Sequence, residues 1–212
     1  MEWILIQMLC LFSYFCGSVP FGKIVGNLKI ADLKTADVQK LGSGNIGATN
    51  VFRTLGWEKG LITFLLDFGK GALPVYLGIY ILPRFLTIKL DPQLTGGLAL
   101  FFALIGSIFP VWLKFKGGKG VSVFIGGLLI LIGWKMWLIM IACWFIVFFF
   151  IAKRIVSLAN LILVGVFMIT GIFWLPLNLC WFAILAPSLI FLSHLENIKR
   201  LIEGKEPPLN IP

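Results

Sequence analysis

The sequence predicts an all-α, polytopic integral membrane protein with seven transmembrane helices, the N-terminus outside and the C-terminus cytoplasmic. Three observations predict this class. Hydrophobic residues make up 59% of the 212 residues and charged residues only 13%, a composition that a soluble domain of this length cannot bury. Apolar stretches of membrane-spanning length recur along the chain, and basic residues concentrate in the loops of one side. Residues 1–212 are expected to form a single membrane-embedded domain.

Seven apolar stretches are separated by polar or glycine-rich joints. They cover 3–27, 60–82, 94–113, 121–133, 136–152, 156–175 and 177–194. A spanning helix needs about 20 mostly apolar residues, and the fourth and fifth stretches are shorter, so one long or re-entrant helix over 121–152 is the alternative. The first stretch lacks the basic n-region of a cleaved signal peptide and is expected to remain as a helix. Within it, Gly17, Ser18, Pro20 and Gly22 predict a kink or close helix packing.

Lysines and arginines in the loops predict the orientation. With seven crossings, the outer side receives Arg84, Lys89 and Lys135. The opposite side receives Lys29, Lys34, Lys40, Arg53, Lys59, Lys114, Lys116, Lys119, Lys153, Arg154, Lys199, Arg200 and Lys205. The positive-inside rule makes this second side cytoplasmic. Topology and attraction to anionic lipid account for most of the net charge of +9, and loops this short offer no groove for nucleic acid.

The segment 42–53, GSGNIGATNVFR, is typical of a phosphate-binding loop. Glycines let backbone amides approach an anion, hydroxyl and amide side chains orient it, and an arginine supplies a charge-assisted contact. The candidate ligands are Ser43, Asn45, Thr49, Asn50 and Arg53. A glycine turn closed by its own side chains explains two such residues, but explains five within one short segment poorly.

A second anion site is predicted at 115–121, FKGGKGV, between two apolar stretches. Consecutive glycines before a helix leave amides and the positive end of the helix dipole exposed, and Lys119 adds a charge. Gly117, Gly118 and Lys119 are therefore candidate ligands; the alternative is a flexible loop that carries positive-inside lysines. Ser157, just after a basic pair, is a further candidate for the same anion.

Polar residues also gather where the last apolar stretch ends. His194, the only histidine, and Asn197 are candidate catalytic groups, although His194 alone would be interpreted as a helix-end residue. Glu196 is expected to be the structural partner of a nearby cation. At membrane depth, Asp67 and Lys70 lie three apart on one helix and are expected to pair as structural support. One histidine and four scattered cysteines predict no metal site.

Five motifs follow one another across nearly the whole chain: GSGNIGATNVFR, LDFGKG, FPVWLKFKGGKGV, RIVSL and HLENIKRLIEGKE. Together they resemble the bacterial acyl-phosphate-dependent glycerol-3-phosphate acyltransferases, the PlsY family. The resemblance implies a seven-helix enzyme of the bacterial inner membrane with its active site facing the cytoplasm. It implies transfer of a fatty acyl group from acyl phosphate to the sn-1 hydroxyl of glycerol 3-phosphate, which yields lysophosphatidic acid for phospholipid synthesis.

The resemblance also implies roles for residues at matching positions. Phosphate handling falls to Ser43, Arg53 and Lys119, with Ser157 as an additional ligand. The last motif, HLENIKRLIEGKE at residues 194–206, contributes His194 and Asn197, and the first loop is lined by Asn45, Thr49 and Asn50. The chain departs from the family pattern at Ser107, where the family has a histidine, and at Ser193 and Leu195, where arginines flank the histidine.

Acyl phosphate is a mixed anhydride with a good leaving group. Attack by an alcohol therefore needs charge stabilisation and alignment, and no Ser-His-Asp arrangement is needed. Direct transfer without an acyl-enzyme and without a cofactor is predicted, by a monomer whose partners are the two substrates and membrane lipid. Either a substrate phosphate or His194 accepts the hydroxyl proton.

Two other functions remain as alternatives. A transporter for a phosphorylated solute would also place cations at an anion site, but such sites usually lie near the membrane midplane between internal repeats, and no repeat is evident. A weakly active or non-catalytic paralogue of the enzyme is the other alternative, and only the departures at Ser107 and Leu195 favour it.

Overall fold

The structure is a computed structural model that describes residues 2–29, 35–87 and 90–209. Every regular element within these ranges is helical, which confirms the predicted all-α class for the described part of the chain. Lys34 and Lys89, two of the charges used to predict the orientation, lie outside the described residues.

The chain divides into two compact units, and the first is Met1–Leu131. Its described part contains the helices α1 (Glu2–Ser18), α2 (Phe21–Asn27), α3 (Ala48–Leu55), α4 (Trp57–Tyr76), α5 (Pro92–Ile108) and α6 (Val121–Leu131). A π-helical turn, Leu77–Ile81, and a 3₁₀ turn, Leu82–Phe85, extend α4. The unit therefore combines long apolar helices with two short ones, α2 and α3, that flank the glycine loop.

Glycines let the long helices of this unit approach one another closely. A Cβ at Gly71 of α4 would collide with the Val123 carbonyl of α6, and one at Gly126 of α6 would collide with the Phe68 carbonyl. Small residues at such contacts are typical of membrane helix pairs. The buried apolar side chains of the unit include Val75, Leu100, Leu104, Phe124 and Leu128.

The first apolar stretch is broken in two. The helix α1 ends at Ser18 and α2 begins at Phe21, because Pro20 has no N–H and its ring cannot continue a helix. Lys70 Nζ donates to the Val19 carbonyl oxygen at 2.8 Å, which satisfies one carbonyl at the break. Both predicted features are therefore present: the helix is interrupted at Val19 and Pro20, and Gly17 packs against the Ala103 carbonyl of α5, where a Cβ would collide.

The second unit is Ile132–Pro212. It contains α7 (Trp134–Ile146), α8 (Val156–Trp174), α9 (Cys180–Ser193) and α10 (Leu195–Ile202), with a π-helical turn, Val147–Ile151, after α7. The axes of α9 and α10 differ by 63°.

After α10 the chain returns to the beginning of α8 as a tail, residues 203–209. Leu209 N donates to the Arg154 carbonyl oxygen at 2.8 Å. The Leu209 side chain packs against a buried cluster of Phe148, Ala152 and Ala159. The tail is thus held at its far end by both a hydrogen bond and apolar contacts.

Membrane spans agree with the prediction in part. Within the described residues, 5 helical segments are long and apolar enough to cross a membrane, and α9 with α10 would make a sixth. The helix α6 has 11 residues, about 16 Å at 1.5 Å per residue, whereas the hydrocarbon core is about 30 Å thick. One continuous helix over 121–152 is wrong, because α6 ends at Leu131 and Gly133, with φ of 78°, separates it from α7.

Candidate active site

The side chain of Asn50 organises the glycine loop. It is 4% exposed and lies in the first turn of α3. Its Nδ2 donates to the carbonyl oxygens of Leu41 and Asn45 at 3.0 and 2.9 Å, with a longer contact of 3.3 Å to that of Val38. Its Oδ1 accepts from Ser43 N at 3.0 Å. Because its amide hydrogens are engaged within the loop, Asn50 acts as an organiser, contrary to the expectation that it is a ligand.

Two further features fix the loop. Gly42 and Gly44 have φ of 55° and 69°, a left-handed conformation that residues with a Cβ rarely adopt. Asn45 Oδ1 accepts from Gly47 N at 2.7 Å and so closes the turn that leads into α3. Hydrogen bonds and glycine conformations within the chain therefore fix the shape of the loop.

Three of the predicted ligands of the loop remain accessible. Ser43 and Arg53 are exposed and Thr49 is half-buried. Thr49 and Arg53 are four residues apart on α3, which places them on one face of that helix. The polar surface of the loop therefore contains a hydroxyl pair and a guanidinium group.

The glycine amides of the second predicted anion loop bind the preceding helix, although they were expected to bind an anion. Gly117 N donates to the Ile108 carbonyl oxygen at 3.1 Å, and Gly118 N donates to the Ser107 carbonyl oxygen at 3.0 Å. Both amides thus satisfy the last carbonyls of α5, which a helix end leaves without intrahelical partners. They are not free donors for a phosphate group. Lys119 is half-buried and lies just before α6, at the end of the loop.

The two loops lie side by side in the first unit. A Cβ at Gly118 would lie 3.9 Å from Asn45 Oδ1 and 3.9 Å from Ile46 Cγ1. Leu113, which precedes the second loop, packs against the buried cluster that contains Ile46. The residues predicted from two distant motifs are therefore neighbours, with Arg53 and Lys119 as the cations of the two loops.

In the second unit, the carboxylate of Glu206 joins the predicted residues. Its Oε1 accepts from Ser157 Oγ at 2.7 Å and from Asn197 Nδ2 at 2.5 Å. Its Oε2 accepts from Arg200 Nε at 2.6 Å. The Glu206 side chain is 3% exposed, so a single buried carboxylate orients a serine, an asparagine and an arginine.

The surroundings of Glu206 also set its charge. Burial raises the pKa of the carboxyl, but the hydrogen bonds from Arg200, Ser157 and Asn197 outweigh burial and hold the pKa below its ordinary value. The group is therefore an anion at neutral pH. It takes the role expected of Glu196, which is exposed on α10.

His194 lies at the junction of α9 and α10 and is fully buried. Its Nδ1 is 2.8 Å from the Ile190 carbonyl oxygen and 3.3 Å from Ser193 Oγ. Because a carbonyl oxygen can only accept, Nδ1 carries a hydrogen. In the neutral ring, Nε2 then carries the lone pair that a proton acceptor requires.

Asp67 and Lys70 form an ion pair on α4. Lys70 Nζ lies 2.8 Å from Asp67 Oδ1, and both residues are buried. The same ammonium lies over the Phe21 ring, 5.6 Å from its centroid. The pair therefore anchors α4 to the break between α1 and α2 and does not lie among the loop residues. In the described ranges no cluster of three or more His, Cys, Asp or Glu residues has the arrangement of a metal site.

The sequence missed two buried residues that organise these segments. Glu206 stands in the short polar tail after the last apolar stretch, where its only signal is its place at the end of the last motif, residues 194–206. Lys59 was assigned to membrane orientation, yet it is fully buried and its Nζ donates to the carbonyl oxygens of Gly26 and Leu28.

Comparison with known proteins gives matches along nearly the whole chain. A family model described as glycerol-3-phosphate acyltransferase matches residues 7–204. A glycerol-3-phosphate acyltransferase of Bartonella henselae is 39% identical over 200 residues, which are 94% of this chain and 89% of the relative. One from Jannaschia sp. is 40% identical over 207 residues, 97% of this chain and 94% of the relative.

Two solved structures share the fold. Both are crystal structures of PlsY (YgiH), described as an integral membrane glycerol 3-phosphate acyltransferase, and both are 32% identical to this chain. The glycerol 3-phosphate form has a TM-score of 0.82, covering 97% of this chain and 96% of the other. The lysophosphatidic acid form has a TM-score of 0.78, covering 96% and 94%.

Proposed function

The chain belongs to the glycerol-3-phosphate acyltransferase family, and we propose that it takes its acyl group from an acyl phosphate. It transfers this group to the sn-1 hydroxyl of glycerol 3-phosphate, giving lysophosphatidic acid. The observation that carries the proposal is the apposition of the two anion loops, with Asn45 and Ile46 of one next to Gly118 of the other.

Two phosphate groups have to be held for this reaction, one on each substrate. Arg53 and Lys119 are the cations of the two loops, and Ser43 and Thr49 add hydroxyl donors. An arginine binds a phosphate through paired, charge-assisted hydrogen bonds, whereas a lysine acts as a mobile point charge. Together they neutralise the charge that grows on the leaving phosphate in the transition state.

The acceptor is oriented by the last motif, residues 194–206. Glu206 Oε1 accepts from Asn197 Nδ2 and so orients the side-chain amide that would bind a substrate hydroxyl. His194 is held in one tautomer by Ile190. Orientation of this kind converts a bimolecular attack into a nearly unimolecular one, which accounts for most of the acceleration that a reactive donor needs.

The transfer is a single substitution at the acyl carbon. The sn-1 oxygen forms a bond to this carbon, the bond from the carbon to the phosphate oxygen breaks, and phosphate leaves with the electron pair. The proton of the hydroxyl passes to a phosphate oxygen, with His194 as the competing acceptor. Neither a covalent acyl-enzyme nor a cofactor takes part.

The chain would cross the bacterial inner membrane seven times, with α6 as the short crossing, the N-terminus outside and the C-terminus in the cytoplasm. The distribution of lysines and arginines supports this orientation. With this orientation the two anion loops and the last motif, residues 194–206, would face the cytoplasm. Residues 1–212 would form a single membrane-embedded domain, and the protein would act as a monomer.

The proposal is tested with purified full-length protein in detergent or vesicles. Incubation with palmitoyl phosphate and glycerol 3-phosphate should release inorganic phosphate and lysophosphatidic acid in equal amounts. Isolation of an acylated side chain would contradict direct transfer. Binding of glycerol 3-phosphate without any product would favour a transporter or a non-catalytic paralogue instead.

A further inference from the structure

Lys59 is a buried cation that the proposed reaction does not use. It lies in the first turn of α4 and has no exposed surface. Its Nζ donates to the Leu28 carbonyl oxygen at 2.8 Å and to the Gly26 carbonyl oxygen at 3.1 Å. A lysine that served only the membrane orientation would keep its ammonium in water, so this burial requires another explanation.

The two carbonyls that Lys59 binds lie at the C-terminal end of α2. The last carbonyls of a helix have no partner within the helix, and the helix dipole makes this end negative. A buried ammonium in turn needs hydrogen-bond acceptors to replace water. Lys59 and the end of α2 therefore satisfy each other and fix α2 to α4.

The helix α2 in turn supports the glycine loop. A Cβ at Gly22 would collide with the Ile46 carbonyl, so a glycine at this position lets α2 contact the loop backbone directly. Lys23 Nζ donates to Gln39 Oε1 at 2.9 Å. The Gly26 carbonyl oxygen that binds Lys59 also accepts from Ala36 N at 3.1 Å. Three contacts thus transmit the position of α2 to the segment that enters the loop and to the loop itself.

The neighbour of Lys59 fixes the other side of the loop. A Cβ at Gly60 would lie 2.7 Å from the Phe52 Cβ of α3, so the backbone of α4 directly contacts the helix that carries Thr49 and Arg53. The first turn of α4 is therefore the common support for α2, which precedes the loop, and α3, which follows it.

We propose that Lys59 is a positioning residue for the phosphate group of glycerol 3-phosphate. Its ammonium holds α2, and through α2 it holds the loop that presents Ser43 and Arg53. This inference rests on the proposed function, because it assigns to the glycine loop the phosphate of the acyl acceptor. Lys59 itself does not touch the substrate.

The test compares three variants of the full-length protein. Lys59→Met keeps the length of the side chain and removes both hydrogen bonds. Lys59→Arg keeps the charge and the donors, and Lys40→Met is the matched control at an exposed lysine near the same loop. The measurements are the Kd of glycerol 3-phosphate by calorimetry, kcat and KM with palmitoyl phosphate as donor, and the Tm.

Lys59→Met should raise the Kd and KM of glycerol 3-phosphate about tenfold, with a smaller change in kcat, because a small displacement of a binding group loses much of its contact. Lys40→Met should stay within about twofold of the unmodified protein, and Lys59→Arg should recover most of the affinity. An unchanged Kd in folded Lys59→Met, or a loss confined to kcat, overturns the proposal.

If Lys59→Met does not fold, Lys59→Gln decides, because it removes the charge and shortens the side chain but leaves a polar group near the two carbonyls. An affinity equal to that of the unmodified protein would then overturn the proposal. The Kd is measured without any acyl donor, so it tests the positioning role of Lys59 even if palmitoyl phosphate proves not to be the donor. Failure of the unmodified protein to bind glycerol 3-phosphate would overturn both.

Discussion

The hydroxyl of Ser157 donates its single hydrogen to Glu206 Oε1 at 2.7 Å. The Glu206 carboxylate is ionised and can only accept, so the direction of this bond is fixed. While the bond persists, Ser157 presents only lone pairs to its other neighbours. A phosphate oxygen therefore gains a hydrogen bond from Ser157 only when the bond to Glu206 is released.

Replacement of Glu206 should impair both fold and catalysis. Glu206→Gln removes the charge beside Arg200 and turns an acceptor into a donor, which leaves a buried polar group badly paired. We expect kcat/KM to fall by about 10- to 100-fold, which corresponds to roughly 1.4–2.7 kcal/mol, and the Tm to fall as well. Glu203→Gln, at a carboxylate that pairs with the exposed Lys205, is the control and should change neither quantity measurably.

The lowered pKa of Glu206 also predicts how stability depends on pH. A carboxyl whose pKa is lower in the folded state than in the unfolded state stabilises the protein above the unfolded pKa. This contribution declines as pH falls below the ordinary value of 4.5 and is lost as pH passes through the folded pKa. Thermal unfolding between pH 7 and 3 should show a difference in Tm between the unmodified protein and Glu206→Gln that shrinks towards acid. A difference that stays constant over this range would contradict the ionised Glu206.

Two adjacent glycines of the second loop should respond differently to the same change. In Gly117→Ala the new methyl would collide with the Pro110 ring and the Ser107 carbonyl, so the loop must shift; we expect a lower Tm and at least a tenfold lower kcat/KM. In Gly118→Ala the nearest atoms are 3.9 Å from the methyl. This variant should keep its Tm and lose less than about threefold in kcat/KM. Equal losses in the two variants would contradict the packing explanation.

Asn50 offers a test of the organised loop. Asn50→Asp keeps the acceptor for Ser43 N but removes the donors to Leu41 and Asn45 and places a charge among carbonyls. We expect a destabilisation of about 1–3 kcal/mol and a KM for glycerol 3-phosphate at least tenfold higher. Asn178→Asp, the same change at an exposed position of the second unit, should leave KM within about twofold. A normal KM in Asn50→Asp would exclude the organising role.

His194→Gln separates orientation from proton transfer. General base catalysis contributes about 10²- to 10⁴-fold, whereas glutamine keeps a hydrogen-bonding amide near the position of Nε2 that cannot take up a proton. If a substrate phosphate accepts the proton, kcat should fall only about tenfold and the pH profile should keep its shape. A larger loss, together with disappearance of the acidic limb of the pH–rate profile, would assign the proton to His194.

Composition and charge predicted the membrane class and the polar segments, but not which polar atoms are already engaged. The glycines of the second loop looked like free amide donors, yet Gly117 and Gly118 donate to the end of α5. That contact depends on how the loop folds back on the preceding helix, and no local sequence pattern predicts it. The same limit applies to Asn50, whose composition-based role as a ligand gives way to its hydrogen bonds within the loop.

Glu206 and Lys59 were missed for a different reason. Each is a charged residue in a polar segment, where most charges are exposed, and only the tertiary fold buries it. The ion pair of Asp67 and Lys70 was easier to predict, because both residues lie on one helix at a spacing that brings them together. Pairs within a helix follow from sequence spacing, whereas Glu206 reaches Ser157 only through the return of the tail.

The attachment of the tail has a practical consequence for work on this enzyme. Leu209 is tied to Arg154 and packs into the second unit, only three positions beyond the carboxylate that orders Ser157 and Asn197. We expect affinity tags and fluorescent proteins fused directly after Leu209 to disturb these contacts. A tag should therefore be placed at the N-terminus or behind a long linker. The activity of a protein tagged close to Leu209 would include the effect of the tag on the segment that orders Ser157 and Asn197.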